Sequence, residues 1–318
     1  LSAVTVVIPC KTDGPLLQRC LEHLERQTFR DFDTVVVPDD AVALAGANVR
    51  VIASGPVLPN AKRALAAAAS DAPVVAFIDD DAYPDPHWLA NALAHFADDG
   101  VVACGGPAIT PATDNELERA SGAVFASPLV TASTRFRYVP EPRRDVGALP
   151  SCNLLIRREA FLRDAAISAG YWPGEDLLTC LYATRNGERI VYDPAVLVYH
   201  HRRTLFAAHL RQVWAYGFFR GHFVRHFDRA GRNAAYLAPA SFALAHLAGL
   251  PLLRMRRGRN LALSGMVVYV FAVALSAQRE ARDARVRPGL VAAGIYLTHL
   301  IYGSASIAGW FGGGKRAG

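Results

Sequence analysis

The sequence predicts an α/β domain with a parallel sheet, followed by an α-helical region that associates with a membrane. Three observations carry this expectation. Buried-type apolar strands alternate with helical patterns through the first 205 residues, the signature of helices packed on a sheet. Two of those strands end in carboxylates, Pro38-Asp39-Asp40 and Asp79-Asp80-Asp81. The charge is also split: residues 1–205 hold 19 Lys+Arg against 25 Asp+Glu, whereas residues 206–318 hold 15 against 3 and are dominated by apolar runs. A slightly acidic front part reads as a soluble domain, and apolar runs flanked by arginines read as membrane-associating.

Val4–Pro9 (VTVVIP) has the composition of a strand buried on both faces, and a turn at Asp13-Gly14 leads into a helix with Leu16, Leu17, Cys20, Leu21 and Leu24 at helical spacing. Thr34–Val37 and Val49–Ala53 are the next two strands, and Asn60–Ala69 is an Ala-rich helix. Pro73–Asp81 (PVVAFIDDD) is the stretch around which the rest is organised: a buried strand that stops abruptly in three acids, followed by a helix over about 86–96. Ligands of open α/β sheets bind beyond the carboxyl ends of the strands, where adjacent carboxylates repel unless a cation or a proton relieves them. Oxygen ligands suit a hard divalent ion, Mg2+ or Mn2+, which in turn suits a diphosphate. A solvated acidic turn is the alternative for an isolated DDD.

Thr131–Pro150 shows little periodicity and reads as a long connection, a lid or a plain surface loop. Asn153 stands just after it and before the strand-like Leu154–Ile156. Gly170–Gly174 is a turn containing Trp172; it feeds Glu175 and Asp176 into the first turn of a helix over 177–185, where acids also meet the helix dipole favourably without any further role. Ile190–Tyr192 and Ala195–Tyr199 are short strands leading to His200-His201-Arg202-Arg203. The five cysteines are scattered without CxxC spacing, which predicts reduced thiols in a cytoplasmic domain, and Leu1–Pro9 reads as a strand rather than a signal peptide.

Together VTVVIPCKTDGPLLQRCLEHLERQT, the DD after the second strand, NAKRALAAAASDAPVVAFIDDDAYPDPHWL and PGEDLLTCLYATRNGERIVYDPAVLVYHH resemble family 2 glycosyltransferases of the GT-A fold, of the membrane-associated bacterial type, over residues 3–205. The resemblance implies a Rossmann-like nucleotide-binding sheet. It places Pro9, Asp39 or Asp40, Arg63, Asp79 and Asp80 around a nucleotide-sugar donor, with UDP-sugar as the default. Asp79 and Asp81 would form the DxD pair, Asp81 on the metal, with His200 completing the metal shell and His201 as the alternative, because successive strand residues face opposite ways. Asp176 would be the catalytic base of an inverting transfer, Glu175 its assistant, and Asn153 and Trp172 would face the acceptor. The segment after the second strand departs from the usual DDGS and reads PDDAVA, which affects the contact to the base.

Leu205–Phe227 is an amphipathic helix that either lies in a membrane interface or packs on the first domain. Of the apolar segments 236–253, 261–277 and 290–311, only the last clearly reaches the roughly 20 residues of a spanning helix. Basic clusters (Arg254, Arg256, Arg257, Arg259; Arg279, Arg282, Arg285, Arg287) lie between them, so the shorter segments are expected to be re-entrant or in plane with both clusters cytoplasmic. Gly303, Ser304, Ser306 and Gly309 permit close helix packing. The expected organisation is therefore a GT-A domain at 1–205 and membrane-associated helices at 206–318, at the cell inner membrane with the catalytic domain facing the cytoplasm. The expected partners are a nucleotide sugar, a lipid-linked or cell-envelope glycan acceptor and membrane lipids, with homo-oligomers allowed and no nucleic acid. Two rivals are a polyprenyl-phosphate glycosyltransferase and a non-catalytic membrane scaffold of the same fold. A nucleotidyltransferase would need a Gly-rich basic loop where Cys10–Gly14 stands.

Overall fold

The structure is a computed structural model that describes residues 2–44, 48–168, 170–185, 187–226, 238–252 and 256–312, with the side chains of 164, 247–252, 256 and 257 left out. The chain packs as two compact units, one from Leu1–Ile109 and Val139–His201, the other from Thr110–Tyr138 and Arg202–Lys315. Residues 110–138, part of the segment read from the sequence as one front domain, thus pack with the C-terminal helices.

The first unit is built on β1 (Val4–Pro9), α1 (Pro15–Leu24), β2 (Phe32–Val37), β3 (Val49–Val51), α2 (Pro59–Ala68), β4 (Val74–Phe77), β5 (Ala82–Pro84) and α3 (Trp88–Leu93), which tightens into a 3-10 turn over Ala94–Ala97. Then come β6 (Val101–Gly105) and β7 (Ala108–Ile109). After the excursion into the second unit the chain resumes with β8 (Arg144–Asp145), β9 (Leu154–Arg157), α6 (Arg158–Ser168), α7 (Glu175–Ala183), β10 (Arg189–Tyr192) and β11 (Val198–His200). The main sheet runs β3-β2-β1-β4-β9-β6-β10-β8, and β5-β11-β7 form a small second sheet.

β1 to β4 are parallel, as the alternation of strands and helices predicts. The sheet as a whole is mixed, which corrects the parallel expectation: β9 runs antiparallel to both β4 and β6. The physical reason is connectivity. A parallel neighbour needs a crossover back to the opposite sheet edge, whereas β9 starts where β4 ends, Leu154 pairing with Phe77, directly after Ser151–Asn153. Strand order reverses between β2-β1 and β4, so the switch point lies between the ends of β1 and β4. The core under these strands is aliphatic, with Val4, Val6, Ile8, Val36, Ala76, Ile78 and Leu155 fully or nearly inaccessible and Trp88 and Leu89 sealing one side.

The second unit contains α4 (Glu116–Ala126), α5 (Pro128–Thr131), a 3-10 turn over Ala132–Arg137, α8 (Ala207–His226), α9 (Ala238–Leu252), α10 (Arg256–Ala284) and α11 (Pro288–Phe311). α4 and the strands β6 and β7 were not assigned from sequence, although Asn115-x-x-Glu118 is a capping-box signature and the structure forms the reciprocal bonds it predicts. The stretch read as an aperiodic connection begins with α5's end and the 3-10 turn. α8 turns His209, Val213, Gly217, Gly221 and Phe223 inward. Its buried face thus meets the helices of its own unit, the packing outcome of the two readings but with a different partner from the one expected.

His209 is fully buried, its Nδ1 2.8 Å from Ser121 Oγ and its Nε2 2.9 Å from Thr298 Oγ1, so it ties α8 to α4 and α11. Burial lowers its pKa to about 4, which keeps the imidazole neutral. Glycines set how closely the helices approach. A Cβ on Gly217 or Gly221 would collide with the backbone of Tyr302 or Ser306, one on Gly309 with Phe218, and one on Gly303 with Pro239. The small residues expected to permit close packing do so at Gly303 and Gly309.

The second apolar segment, read as too short to span, belongs to a single helix of 29 residues, about 43 Å at about 1.5 Å per residue. Among the described residues two helices are long and apolar enough to cross a membrane, Gly258–Ala284 and Pro288–Phe311, with 11% and 39% of their apolar windows buried. Val267, Val268 and Phe271 are each more than half exposed on the first of them. α9, at 15 residues, rises only about 22 Å, short of the about 30 Å hydrocarbon core. The ends of the first apolar segment and Arg254 fall outside the described residues.

Because Gly309 faces a backbone and Gly265 on α10 meets nothing within 4 Å, their substitutions should act oppositely. Gly309→Ala is expected to destabilise by about 1–3 kcal/mol through overpacking, and Gly265→Ala to stabilise by about 0.5–1 kcal/mol through helix propensity. Thermal unfolding of the detergent-solubilised protein reads both; equal shifts in the same direction would refute the packing account.

Candidate active site

Three strand ends and one helix start bring the predicted residues to the carboxyl edge of the main sheet. β1 ends at the buried Pro9, whose neighbour Cys10 donates its amide to Val37 O. β2 delivers Asp39, whose carboxylate pairs with Lys62 Nζ; that ammonium also donates to Cys10 O at 2.5 Å. Asp40, one residue on, is exposed. β4 leaves the sheet at Phe77, and Asp79, Asp80 and Asp81 follow at the switch point, each half-buried.

The small sheet positions the histidine. β11 pairs antiparallel to β5 with His200 opposite Ala82, so the imidazole comes to rest beside Asp81, its Nε2 3.0 Å from Asp81 Oδ1. Tyr83 and Tyr199, one step along the same register, stack at 5.0 Å and hold the pairing. Asp79, Asp81 and His200 each offer a ligand atom, all within 4.8 Å of one another. Two carboxylates and one imidazole are a donor set that fits Mg2+ or Mn2+. His201 turns the other way: its backbone amide donates to Asp81 O and its ring lies 5.7 Å from that of Tyr83, so of the two histidines it is His200 whose ring stands beside Asp81. Asp80 is the carboxylate felt by the Cys10 thiol; burial first and Asp80 next push that thiol up to about 12, so it stays protonated and unreactive.

α2 supplies the counter-charge. Pro59 opens the helix at its first turn, and its inward face carries Asn60, Lys62 and Arg63 among alanines. A helix buries a Lys and an Arg only where carboxylates receive them. Arg63, 2% exposed, donates from Nη2 to Asp79 Oδ1 at 2.8 Å and from Nη1 to Glu175 Oε1 at 3.0 Å. Burial alone would lower its pKa, but Asp79 and Glu175 outweigh it and the net shift is upward. Lys62 was not singled out from sequence; the signal was a Lys-Arg pair inside an otherwise apolar, Ala-rich helix.

Glu175 and Asp176 open α7 after Gly174, which adopts φ 109°, a left-handed conformation natural to glycine. Glu175 is 5% exposed; burial first and Asp176 next raise its carboxyl to about 7 against the opposing pull of Arg63. Asp176 is half-buried and accepts the Leu177 amide at 2.7 Å. Trp172, on the turn before them, is 51% exposed.

Asn153 is a correction. It is fully buried, its Oδ1 accepts Trp88 Nε1 at 2.8 Å and its Nδ2 donates to the carbonyls of Pro107 and Val196. A carboxamide whose groups are spent inside the fold holds β9 to its surroundings and does not reach an acceptor.

The sequence and the fold have counterparts. The profile of glycosyl transferase family 2 matches residues 5–163. A curated relative, the pre-mycofactocin glycosyltransferase of Mycobacterium tuberculosis, is 29% identical over 208 residues, 63% of this chain and 43% of that protein, so the match spans less than half of the relative's length. Among solved structures, the Pyrobaculum calidifontis mannosyltransferase PcManGT in complex with GDP-Man and Mn2+ aligns over 97% of this chain and 87% of its own with a TM-score of 0.54 at 19% identity. GalNAc-T7 with UDP, GalNAc and Mn2+ aligns over 75% and 50% with a TM-score of 0.51 at 15% identity. A mixed α/β sheet with carboxylates at its switch point, the GT-A neighbours and the profile match over half the chain agree: this protein belongs to glycosyl transferase family 2.

Proposed function

We propose that the protein transfers a sugar, with inversion and with the help of Mg2+ or Mn2+, from a nucleotide diphosphate sugar to a hydroxyl of a lipid-linked or cell-envelope glycan. The observation that carries this reading is the convergence of Asp79, Asp81 and His200 within 4.8 Å, next to an ion-paired Arg63 that reaches the Glu175-Asp176 turn. The two solved relatives in GT-A form hold Mn2+ with GDP-Man or with UDP, which supports the same ligand class here. Asp79, Asp81 and His200 would hold the cation, and when bound it supplies Lewis-acid stabilisation of the departing diphosphate.

The chain's own residues do the rest. Asp39, pinned by Lys62 at the end of β2, lies where a nucleoside would meet the sheet edge. Asp176 takes the proton of the acceptor hydroxyl as its oxygen attacks the anomeric carbon, and Glu175, too buried to meet solvent, backs it. A phosphate acceptor would need no base and would leave Asp176 idle, so a hydroxyl acceptor fits better. Trp172 offers an exposed aromatic face beside that turn, a surface suited to a sugar ring. The apolar helices α10 and α11 would anchor the enzyme in the inner membrane, α10 lying in the plane of the cytoplasmic leaflet so that the arginines at both its ends meet anionic headgroups on the side on which nucleotide sugars are made.

Asp81→Ala should remove Mn2+-dependent nucleotide binding and lower transfer by about two orders of magnitude or more. Calorimetric titration of UDP and GDP with and without Mn2+, after a panel of sugar nucleotides has identified the donor, measures it; an unaltered metal-dependent affinity refutes the metal assignment. Asp176→Asn should keep donor affinity but slow turnover by about two to four orders of magnitude, the usual worth of a general base. A variant turning over at the wild-type rate would reduce Asp176 to a helix-start acid. For the membrane, the protein should stay with the membrane pellet through a high-salt wash and leave it only in detergent. Release by salt alone would show that charge and not apolar burial holds it.

A further inference from the structure

We propose that Arg63 is a positioning residue that ties the donor-side carboxylate Asp79 to the acceptor-side turn bearing Glu175 and Asp176, so that metal–nucleotide binding and placement of the base are coupled through one guanidinium. The inference rests on the donor and base roles proposed above and goes beyond them, since the sequence suggests only that Arg63 lies near the nucleotide.

The geometry points away from a nucleotide contact. Arg63 is 2% exposed, and Nη1 and Nη2 are directed to two carboxylates from different parts of the chain, at 3.0 and 2.8 Å. Its Nε is buried and has no hydrogen-bond partner among the described residues. The guanidinium is therefore oriented by Asp79 and Glu175 rather than held ready for a ligand. The two carboxylates differ in what they face. Asp79 is 30% exposed through its side chain and shares the cluster with Asp81 and His200, while Glu175 is 6% exposed and points inward. Arg63 thus has one partner at the ligand and one in the interior, and the interior partner opens the helix that carries Asp176. A rigid mount is present on both sides: α2 holds Arg63, and the left-handed Gly174 fixes where α7 starts. A planar fork can bridge two separate carboxylates, whereas a lysine ammonium on its flexible stem serves the same pair as a point charge.

The coupling has a definite sign. Released from Glu175, Arg63 would pair wholly with Asp79 and compete with the cation for that carboxylate. Glu175→Asp tests this without changing charge, because it withdraws the carboxylate by one methylene. We expect Glu175→Asp and Glu175→Gln each to weaken Mn2+-dependent UDP binding by about three- to tenfold, the size of an ordinary coupling between sites, with metal-independent UDP binding unchanged. In an Arg63→Lys background the same Glu175→Asp change should alter that affinity by less than about twofold. Turnover should fall in Glu175→Asp while the KM for acceptor stays put, a split that loss of acceptor contact would not produce. Thermal melting of the metal-free single and double variants adds a readout that needs no ligand, and the losses in melting temperature should be less than additive.

If Glu175→Asp binds Mn2+ and UDP like wild type while Glu175→Gln is weakened, Glu175 acts through its field alone and the inference is overturned. An equal weakening in the wild-type and Arg63→Lys backgrounds, or strictly additive melting losses, overturns it as well. Should Arg63→Lys fail to fold, the comparison of Glu175→Asp with Glu175→Gln still decides. The series is run with whichever of UDP and GDP binds; absence of Mn2+-dependent binding of both by the wild-type protein would overturn the donor-site reading and this inference with it, whereas intact but uncoupled binding overturns the inference alone.

Discussion

Two adjacent cations buried on one helix, Lys62 and Arg63, are the constraint on which the first unit depends. Charges with 3% and 2% exposure are tolerable only if carboxylates receive them, and here the carboxylates come from the ends of β2 and β4 and the start of α7. Removing one partner of such a pair typically costs about 3–5 kcal/mol, because the other charge is left buried and unpaired. The same pairs hold Asp39 and Asp79 in place. A site that must assemble acids from three parts of the chain needs cations to offset their repulsion, and α2 provides them from below the edge at which a ligand would enter.

The sheet topology explains why the acids are where they are. Strand order reverses between β1 and β4, opening a crevice at their carboxyl ends, and PVVAFIDDD runs out of strand at that point. The small sheet then does what no local pattern could. By pairing His200 with Ala82 it brings a residue from far along the chain next to Asp81, and the stacked Tyr83 and Tyr199 support that register. A slip of one residue in β11 would present His201 instead, since side chains alternate along a strand.

The second unit follows other rules. α8 and α11 approach through glycines, Gly217 and Gly221 of α8 against α11 and Gly309 of α11 against α8, while α4, α10 and α11 share a core of Val124, Val273, Val291 and Ile295. Its fully buried histidine is kept neutral by burial and satisfied by two hydroxyls. Val267, Val268 and Phe271 remain bare on α10, which in water would be an unfavourable surface and in lipid is an ordinary one.

Much of this was legible in the sequence, because local pattern carries it. Apolar runs of strand length gave β1, β2 and β4 and their parallel order; the carboxylates at their ends marked the candidate site; Glu175-Asp176 after a Gly/Pro turn marked a helix start; and apolar length marked α11. The tertiary structure decided what depends on partners distant in the chain. It set β9 antiparallel, brought the ring of His200 beside Asp81 through the register of β11 on β5, and joined residues 110–138 to the C-terminal helices. It spent Asn153 on Trp88 and two carbonyls and turned Lys62 and Arg63 inward to ion pairs. The physical reason is the same in each case. Periodicity and turn chemistry are written into neighbouring residues, whereas a buried charge or carboxamide is satisfied by whatever group the fold places across from it, and a single sequence does not say which group that is.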